Sequence, residues 1–167
     1  MKKEVELKFF VSDFLSVRKK LRLLGAKLEW KGRERSWYFD TPTRMLKNKH
    51  AVLRLRTTNI PFITYKEKIS GTRFKIMDEY QLAVSDPKEF RRILGHLGFA
   101  VCIEYTKRRE YWKLPHHVEV TLDTIPGMKI IEIEATPRLI PIIAKKLGID
   151  QCKTTTQSYL KLLRLSY

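Results

Sequence analysis

"EVELKF", residues 4–9, places Glu4, Glu6 and Lys8 at alternate positions with Val5, Leu7 and Phe9 between them. This alternation predicts a strand with three charges on one face and three apolar side chains on the other. The apolar face demands burial. The charged face is then either ordinary solvated surface or the lining of an enclosed space, and the fold depends on which.

Other runs repeat the pattern: "RSWYFD" (35–40), "AVLRLRT" (51–57), "FITYKEK" (62–68), "FKIMDEYQLAV" (74–84), "CIEYTKRREYW" (102–112), "HVEVTLD" (117–123) and "KIIEIEA" (129–135). With the opening segment they make about eight strands, most joined by turns short enough for antiparallel neighbours. Their alternating sets are Glu4, Glu6, Lys8; Arg54, Arg56; Thr64, Lys66, Lys68; Glu79, Gln81; Lys107, Arg109, Tyr111; Glu119, Thr121, Asp123; and Glu132, Glu134. A merely solvated face tolerates Ser, Thr, Asn and Gln, whereas here nearly every slot is charged. The expectation is an α+β fold in which eight antiparallel strands close into a barrel, with the charged faces inside a tunnel and helices packed outside.

Two helical segments flank this pattern. "VSDFLSVRKKLRLLG" (11–25) carries Ser12 or Asp13 as cap, Phe14, Val17, Leu21 and Leu24 as apolar stripe, and Gly25 as stop. "VSDPKEFRRILGHLG" (84–98) carries Asp86 as cap, Pro87 at the first helical position and Glu89 for a capping box. They align at an offset of 73 residues, Val11 with Val84 through Gly25 with Gly98, and the offset also brings Glu6 onto Glu79 and Tyr38 onto Tyr111. The barrel is therefore expected from two pseudo-repeated halves. Further helical patterns at "PRLIPIIAKKLG" (137–148) and "TQSYLKLLRL" (156–165) belong outside it.

The chain has 167 residues, a length that suits one domain. Its 34 Lys and Arg against 18 Asp and Glu give +16, an excess that attracts polyanions. The inward set holds seven acids and seven bases and is neutral, so the surplus belongs to the exterior. Cys102 and Cys152 match no zinc spacing, and reduced thiols are expected. No apolar run reaches membrane-spanning length and no signal segment is visible, so a cytoplasmic protein without membrane association is expected. His50, His96, His116 and His117 share no metal or triad spacing, and Tyr38 and Asp40 read as the end of a strand and the start of a turn. No Gly-rich phosphate loop is present, so side chains must hold any phosphate.

Guanidinium forks and ammonium groups facing a closed space suit a compact polyanion. The carboxylates beside them would repel it unless a divalent cation stands between, since Mg²⁺ or Mn²⁺ takes hard oxygen ligands from carboxylates and phosphates together. The inward face thus reads as a metal and polyphosphate clamp. At this point Glu4-Val5-Glu6-Leu7-Lys8 resembles the ExExK signature of the CYTH superfamily, the triphosphate tunnel metalloenzymes that include class IV (CyaB-like) adenylate cyclases, thiamine triphosphatases and inorganic triphosphatases. The resemblance runs on through "YFDTP" (38–42), "LRLR" (53–56), "YKEK" (65–68), "KRREY" (107–111), "VTLD" (120–123), "EIE" (132–134) and "SYLKLL" (158–163).

The resemblance implies a single CYTH domain over residues 1–167 and an enzyme acting with Mg²⁺ or Mn²⁺ on ATP, thiamine triphosphate or tripolyphosphate. It implies metal binding by Glu4, Glu6, Glu79, Asp123, Glu132 and Glu134, and triphosphate binding by Lys8, Arg54, Arg56, Lys66, Lys68, Lys107 and Arg109. Glu134 is the candidate general base, with Lys8 and Lys66 beside it in the catalytic set. Gln81 stands where another Glu is common, which removes one carboxylate. A homodimer suits the family. The competing reading is a non-catalytic polyanion or nucleic-acid binding protein that uses its basic exterior, through "WKGRERSWYF" (30–39) and "YTKRREYW" (105–112).

Overall fold

The computed structural model describes residues 2–71 and 74–165. Eight strands form the wall: β1 (Lys2–Val11), β2 (Lys27–Asp40), β3 (Ala51–Thr57), β4 (Phe62–Gly71), β5 (Lys75–Ala83), β6 (Ala100–Leu114), β7 (Val118–Ile125) and β8 (Met128–Glu134). All neighbours are antiparallel, in the order β5-β4-β3-β2-β6-β7-β8-β1, and β5 pairs back onto β1 to close an uneven ring. Where β5 leaves β1, the two-residue β9 (Thr154–Thr155) pairs with Lys8 and Phe9.

The inward and outward faces follow the alternation. Phe9, with Val5, Leu7 and Val11 beside it, packs outward against α1 (Leu15–Leu23) and α4 (Leu139–Leu147), together with the outward faces of β7 and β8. Trp37, Phe39, Leu55 and Ile63 pack outward against Leu94 and Phe90 of α3 (Pro87–His96). Burial of these stripes drives the closure, because the helices and the outer faces of the strands cover each other's apolar surface.

The two halves repeat as the 73-residue offset requires. Both first helices end on a left-handed glycine, Gly25 at φ +74° and Gly98 at φ +86°. In each the following amide returns to the helix, Ala26 to Leu21 and Phe99 to Leu94, at 2.9 Å. The same offset separates Glu34 from Lys107, register partners in β2–β6, and Glu4 from Met77, register partners in β1–β5. A local two-fold axis therefore crosses the ring at those two pairs.

Several local readings are refined. Asp86 caps α3 through the amides of Lys88 and Glu89, while the Glu89 carboxylate takes Arg92 at 3.0 Å. In α1 the cap position falls on Phe14, and Asp13 instead accepts from the amide of Leu15 at 2.7 Å. The final helical pattern yields only the single turn α5 (Tyr159–Leu162), capped by Ser158. β2 is far longer than its sequence reading, beginning at Lys27 and passing an irregularity between Leu28 and Trp30 that breaks the alternation. No helix of the described residues is long and apolar enough to cross a membrane.

Candidate functional site: a charged tunnel

The ring encloses a cavity of about 1340 Å³. Glu4, Glu6, Lys8, Arg54, Arg56, Lys66, Glu79, Gln81, Lys107, Arg109, Tyr111, Glu119, Thr121, Glu132 and Glu134 line it, as the alternation places them. Lys68 lies on β4 in the sequence reading, but its side chain lies outside the described residues. Asp40 holds the wall from below: its carboxylate accepts the amides of Thr41, Leu46 and Lys47 at 2.8–3.0 Å. That capping ties the end of β2 to α2 (Met45–Asn48) and so sets the start of β3, whose register aims Arg54 and Arg56 inward.

Acids and bases alternate around the wall in contact with one another. On β1, Lys8 Nζ sits 2.5 Å from Glu6 and 3.0 Å from Glu132 of β8. Glu6 also takes Lys75 at 2.7 Å, and Glu4 accepts from Lys66, which lies 3.6 Å from Glu79. Across the tunnel, Arg109 forks Asp123 at 2.7 and 2.6 Å and reaches Glu132 at 3.7 Å. Arg56 donates to Gln81 at 3.1 Å, the position where the missing carboxylate would stand.

These contacts set the ionisation of the wall. Burial alone would lower the Lys8 ammonium, but Glu132 and Glu6 hold it above its usual range. Lys107 shifts the other way, because burial and neighbouring Arg109 outweigh the pull of Asp123 and Glu34. Burial pushes Glu4 up against the pull of Lys66, while Lys8 and Lys75 overcome the burial of Glu6 and hold it well below the carboxylate range. Buried charges in this density persist only when paired, so each acid holds a base in place and the reverse.

A family-model match decides the relationship: the CYTH domain model matches residues 2–140. The chain belongs to the CYTH domain family. Among solved structures, the PH1012 protein of Pyrococcus horikoshii is 27% identical, with TM-score 0.77 over 95% of this chain and 98% of that one. A candidate adenylate cyclase from Vibrio parahaemolyticus shares the fold at 18% identity, TM-score 0.82 and 98% coverage of both chains. So does a Hippeastrum protein described as a candidate adenylyl cyclase with dominant triphosphatase activity, at 16% identity and TM-score 0.66 over 96% and 95% of the chains. Among curated proteins, none matches the chain in sequence.

Within this CYTH tunnel the expected metal-binding acids fall in two environments. Glu6 of β1 and Glu134 of β8 are register partners, and Glu119 of β7, outside the expected set, is the next partner of Glu134, so hard oxygen donors form a row across three strands. Asp123 is 0% exposed, and its carboxylate is taken by Arg109, by Lys107 at 3.1 Å and by the Tyr159 hydroxyl. It anchors the bases from beneath. Among the described residues, no three His, Cys, Asp or Glu side chains gather tightly enough to hold an ion in the present arrangement. The donor type nevertheless fits Mg²⁺ or Mn²⁺, because Glu4, Glu6, Glu79 and Glu132 are held by ammonium or guanidinium groups that a phosphate oxygen would also attract.

Three further wall residues escape the sequence reading. Glu34 is 1% exposed and faces Lys107 at 3.4 Å, Arg109 at 3.6 Å and Arg56 at 4.0 Å. Lys75 supplies a second base to Glu6. Tyr159 comes from α5 and lies beneath the ammonium groups of Lys107 and Lys8, 4.0 and 5.3 Å from its ring centre. Extending the alternation from Tyr38 through Ser36 reaches Glu34, and "SYLKLL" contained Tyr159 without revealing its direction. With Lys47, Lys113 and Lys161 also on the cavity, its described lining carries seven acids and ten bases, so the lining is mildly basic rather than neutral.

The lower end of the tunnel turns apolar. Tyr38, Ile103, Tyr105, Ile125 and Ile130 meet Tyr159 there, with ring centres 5.9 Å apart for Tyr38–Tyr105 and 6.5 Å for Tyr105–Tyr159. Leu160, Leu162 and Leu163 of the C-terminal segment pack beneath them. At the opposite mouth Trp30 and Tyr111 are register partners lining the cavity. Of the histidines, His50, His116 and His117 occupy left-handed turn positions and His96 ends α3.

Proposed function

We propose that the chain is a single-domain, cytoplasmic, divalent-metal-dependent enzyme that cleaves a triphosphate group inside the tunnel. The observation that carries this reading is the continuous alternation of acid and base around an enclosed cavity, which offers phosphate both its cations and the carboxylates for a metal. Arg54, Arg56, Lys66, Lys107 and Arg109 bind the phosphate chain, with Lys8 between the two carboxylates of its own wall. Glu4, Glu6, Glu79, Glu132 and Glu134 would hold Mg²⁺ or Mn²⁺, with Asp123 fixing the bases. The ion supplies charge neutralisation and polarisation at the phosphoryl oxygens.

The chain's own groups supply the remainder. The bases hold the chain of phosphates extended and neutralise charge that builds on the leaving oxygen. Glu134, at the mouth, keeps one carboxylate oxygen off the ion and with it accepts the proton of the attacking water. Hydrolysis of a terminal phosphate is the primary reading because most of the charged wall reads phosphate alone. Cyclisation of ATP, with attack of the ribose 3′ oxygen on the α-phosphate and departure of pyrophosphate, is the second reading. Trp30 and Tyr111 favour it, since they set two aromatic side chains beside each other at the mouth, where a nucleobase would lie.

Purified protein incubated with tripolyphosphate, thiamine triphosphate or ATP, in Mg²⁺ or Mn²⁺, separates these readings by product chromatography. Orthophosphate release supports hydrolysis, and cyclic AMP with pyrophosphate supports cyclisation. No turnover of any triphosphate overturns both.

A further inference from the structure

The outward face of the long β2–β6 ribbon is not used by the tunnel. Arg33 of β2 and Arg108 of β6 are direct register partners there, both exposed. Like charges directly opposite on a ladder repel. Among the described residues neither has a carboxylate partner, because the acids on this face are already engaged. Glu104 takes Arg35 and the Trp37 indole at 3.0 Å, and Glu110 takes Arg18 at 3.0 Å and Lys31 at 3.3 Å.

From this pair the positive surface continues along β2. Arg35 and Arg91 both lie over the Trp37 ring, 4.8 and 5.1 Å from its centre, which holds two guanidinium groups at fixed places; Arg35 is paired with Glu104, and Arg91 keeps its charge for a ligand. Beyond Trp37 a cavity of about 390 Å³ opens between α3 and the ribbon, with Lys88, Arg91 and Arg92 on its rim and Phe39, Phe99 and Val101 forming its wall. Arg33 to Phe39 spans six residues of strand, so the track is roughly 20 Å long at about 3.3 Å per residue. Arg33, Arg108, Arg35 and Arg91 follow it with Glu104 as an acid among them, and it ends in a cavity with Phe99 and Val101 on one side.

We propose that this face binds single-stranded nucleic acid, with phosphates on Arg33, Arg108 and Arg91 and one unstacked base in the cavity against Phe99 and Val101. The apolar wall selects this ligand over a purely inorganic polyanion, which has nothing to place there, and over a duplex, which keeps its bases stacked. The charge balance fits the same division, since most of the +16 surplus lies outside the tunnel lining. This site is independent of the triphosphate chemistry and stands or falls separately from it.

Fluorescence anisotropy with labelled RNA and DNA strands about 12 nucleotides long, a length within ordinary single-strand site sizes, tests the proposal. The full chain should bind with a clear salt dependence. Arg33→Glu/Arg108→Glu should weaken binding at least tenfold, and the slope of log affinity against log salt should fall by about 1.4, at about 0.7 for each phosphate no longer neutralised. Arg91→Glu should weaken it as well. The circular dichroism and thermal midpoints of these variants should match those of the original chain, which shows that they fold, and tripolyphosphate turnover should be unchanged. Lys145→Glu/Lys146→Glu on α4 makes the same change in net charge on another face and should leave binding within about twofold of the original. Equal loss in that control, retained binding in Arg33→Glu/Arg108→Glu, or displacement of the strand by tripolyphosphate at tunnel-saturating concentrations would overturn the assignment. Tighter binding of long inorganic polyphosphate than of either nucleic acid would overturn it too.

Discussion

Glu34 and Lys107 face each other across β2 and β6 at 3.4 Å, and they are the same position of the two pseudo-repeated halves. One half supplies the acid and the other the base, so the repeat has been broken chemically where its axis crosses the wall. Glu34 also faces Arg109 and Arg56. One carboxylate thereby holds three of the bases assigned to phosphate.

Removing that charge should expose the arrangement. Glu34→Gln leaves three buried cations short of one anion, and breaking such a buried cluster costs on the order of 3 kcal/mol. Thermal unfolding should show the loss, and tripolyphosphate should restore more stability to the variant than it adds to the original. In steady-state kinetics both KM and kcat should fall, because phosphate no longer competes with Glu34 for the bases and is released more slowly.

The acid limb of stability follows from the same residue. Burial would raise the Glu34 carboxyl, but Lys107, Arg109, Arg56 and Arg54 hold it far below its unfolded range near 4.3. A depressed folded pKa contributes stability that is complete above the unfolded value and is lost as pH falls through the folded one. The chain should therefore lose stability steadily from about pH 4.5 downward. Chemical denaturation at successive pH values should give a shallower loss for Glu34→Gln.

Tyr159→Phe removes a hydroxyl donated to buried Asp123 while keeping the ring beneath Lys107 and Lys8. A hydrogen bond to a charged group is worth about 1.5–3 kcal/mol, so denaturation midpoints should fall accordingly. Lys107 and Arg109 lose part of their support, and KM for a triphosphate should rise several-fold with kcat less affected.

How far the sequence reaches is visible at particular residues. Alternation alone places Glu4, Glu6, Lys8, Arg54, Arg56, Lys66, Lys107 and Arg109 around one cavity, because a period of two admits only two faces and the apolar face had to be buried. It does not reveal depth. Asp123 shares the inward face with Glu119, yet one is fully buried under the bases and the other lines the cavity. Glu34 is hidden because the irregularity near Leu28 and Trp30 makes the first part of β2 look unlike a strand. Asp40 reads as a turn residue, and its capping of α2 shows that it is a structural one. Tyr159 depends on how a single turn of helix docks, which local periodicity does not encode.

Gln81→Glu tests the carboxylate that this tunnel lacks. Gln81 lies beside Arg56 on the same wall as Glu79, so a new charge there adds a hard donor near an existing one. The Mn²⁺ concentration giving half-maximal triphosphate turnover should drop several-fold. An unchanged Mn²⁺ requirement would place the ion away from β5.

Crystals soaked with Mn²⁺ and a non-hydrolysable triphosphate analogue test the central claim most directly. Anomalous scattering should place Mn²⁺ against the carboxylates of β1 and β8, among Glu4, Glu6, Glu132 and Glu134, with phosphates on Arg54, Arg56, Lys66 and Arg109. Manganese outside the tunnel, or an analogue bound only on the exterior, would contradict the account.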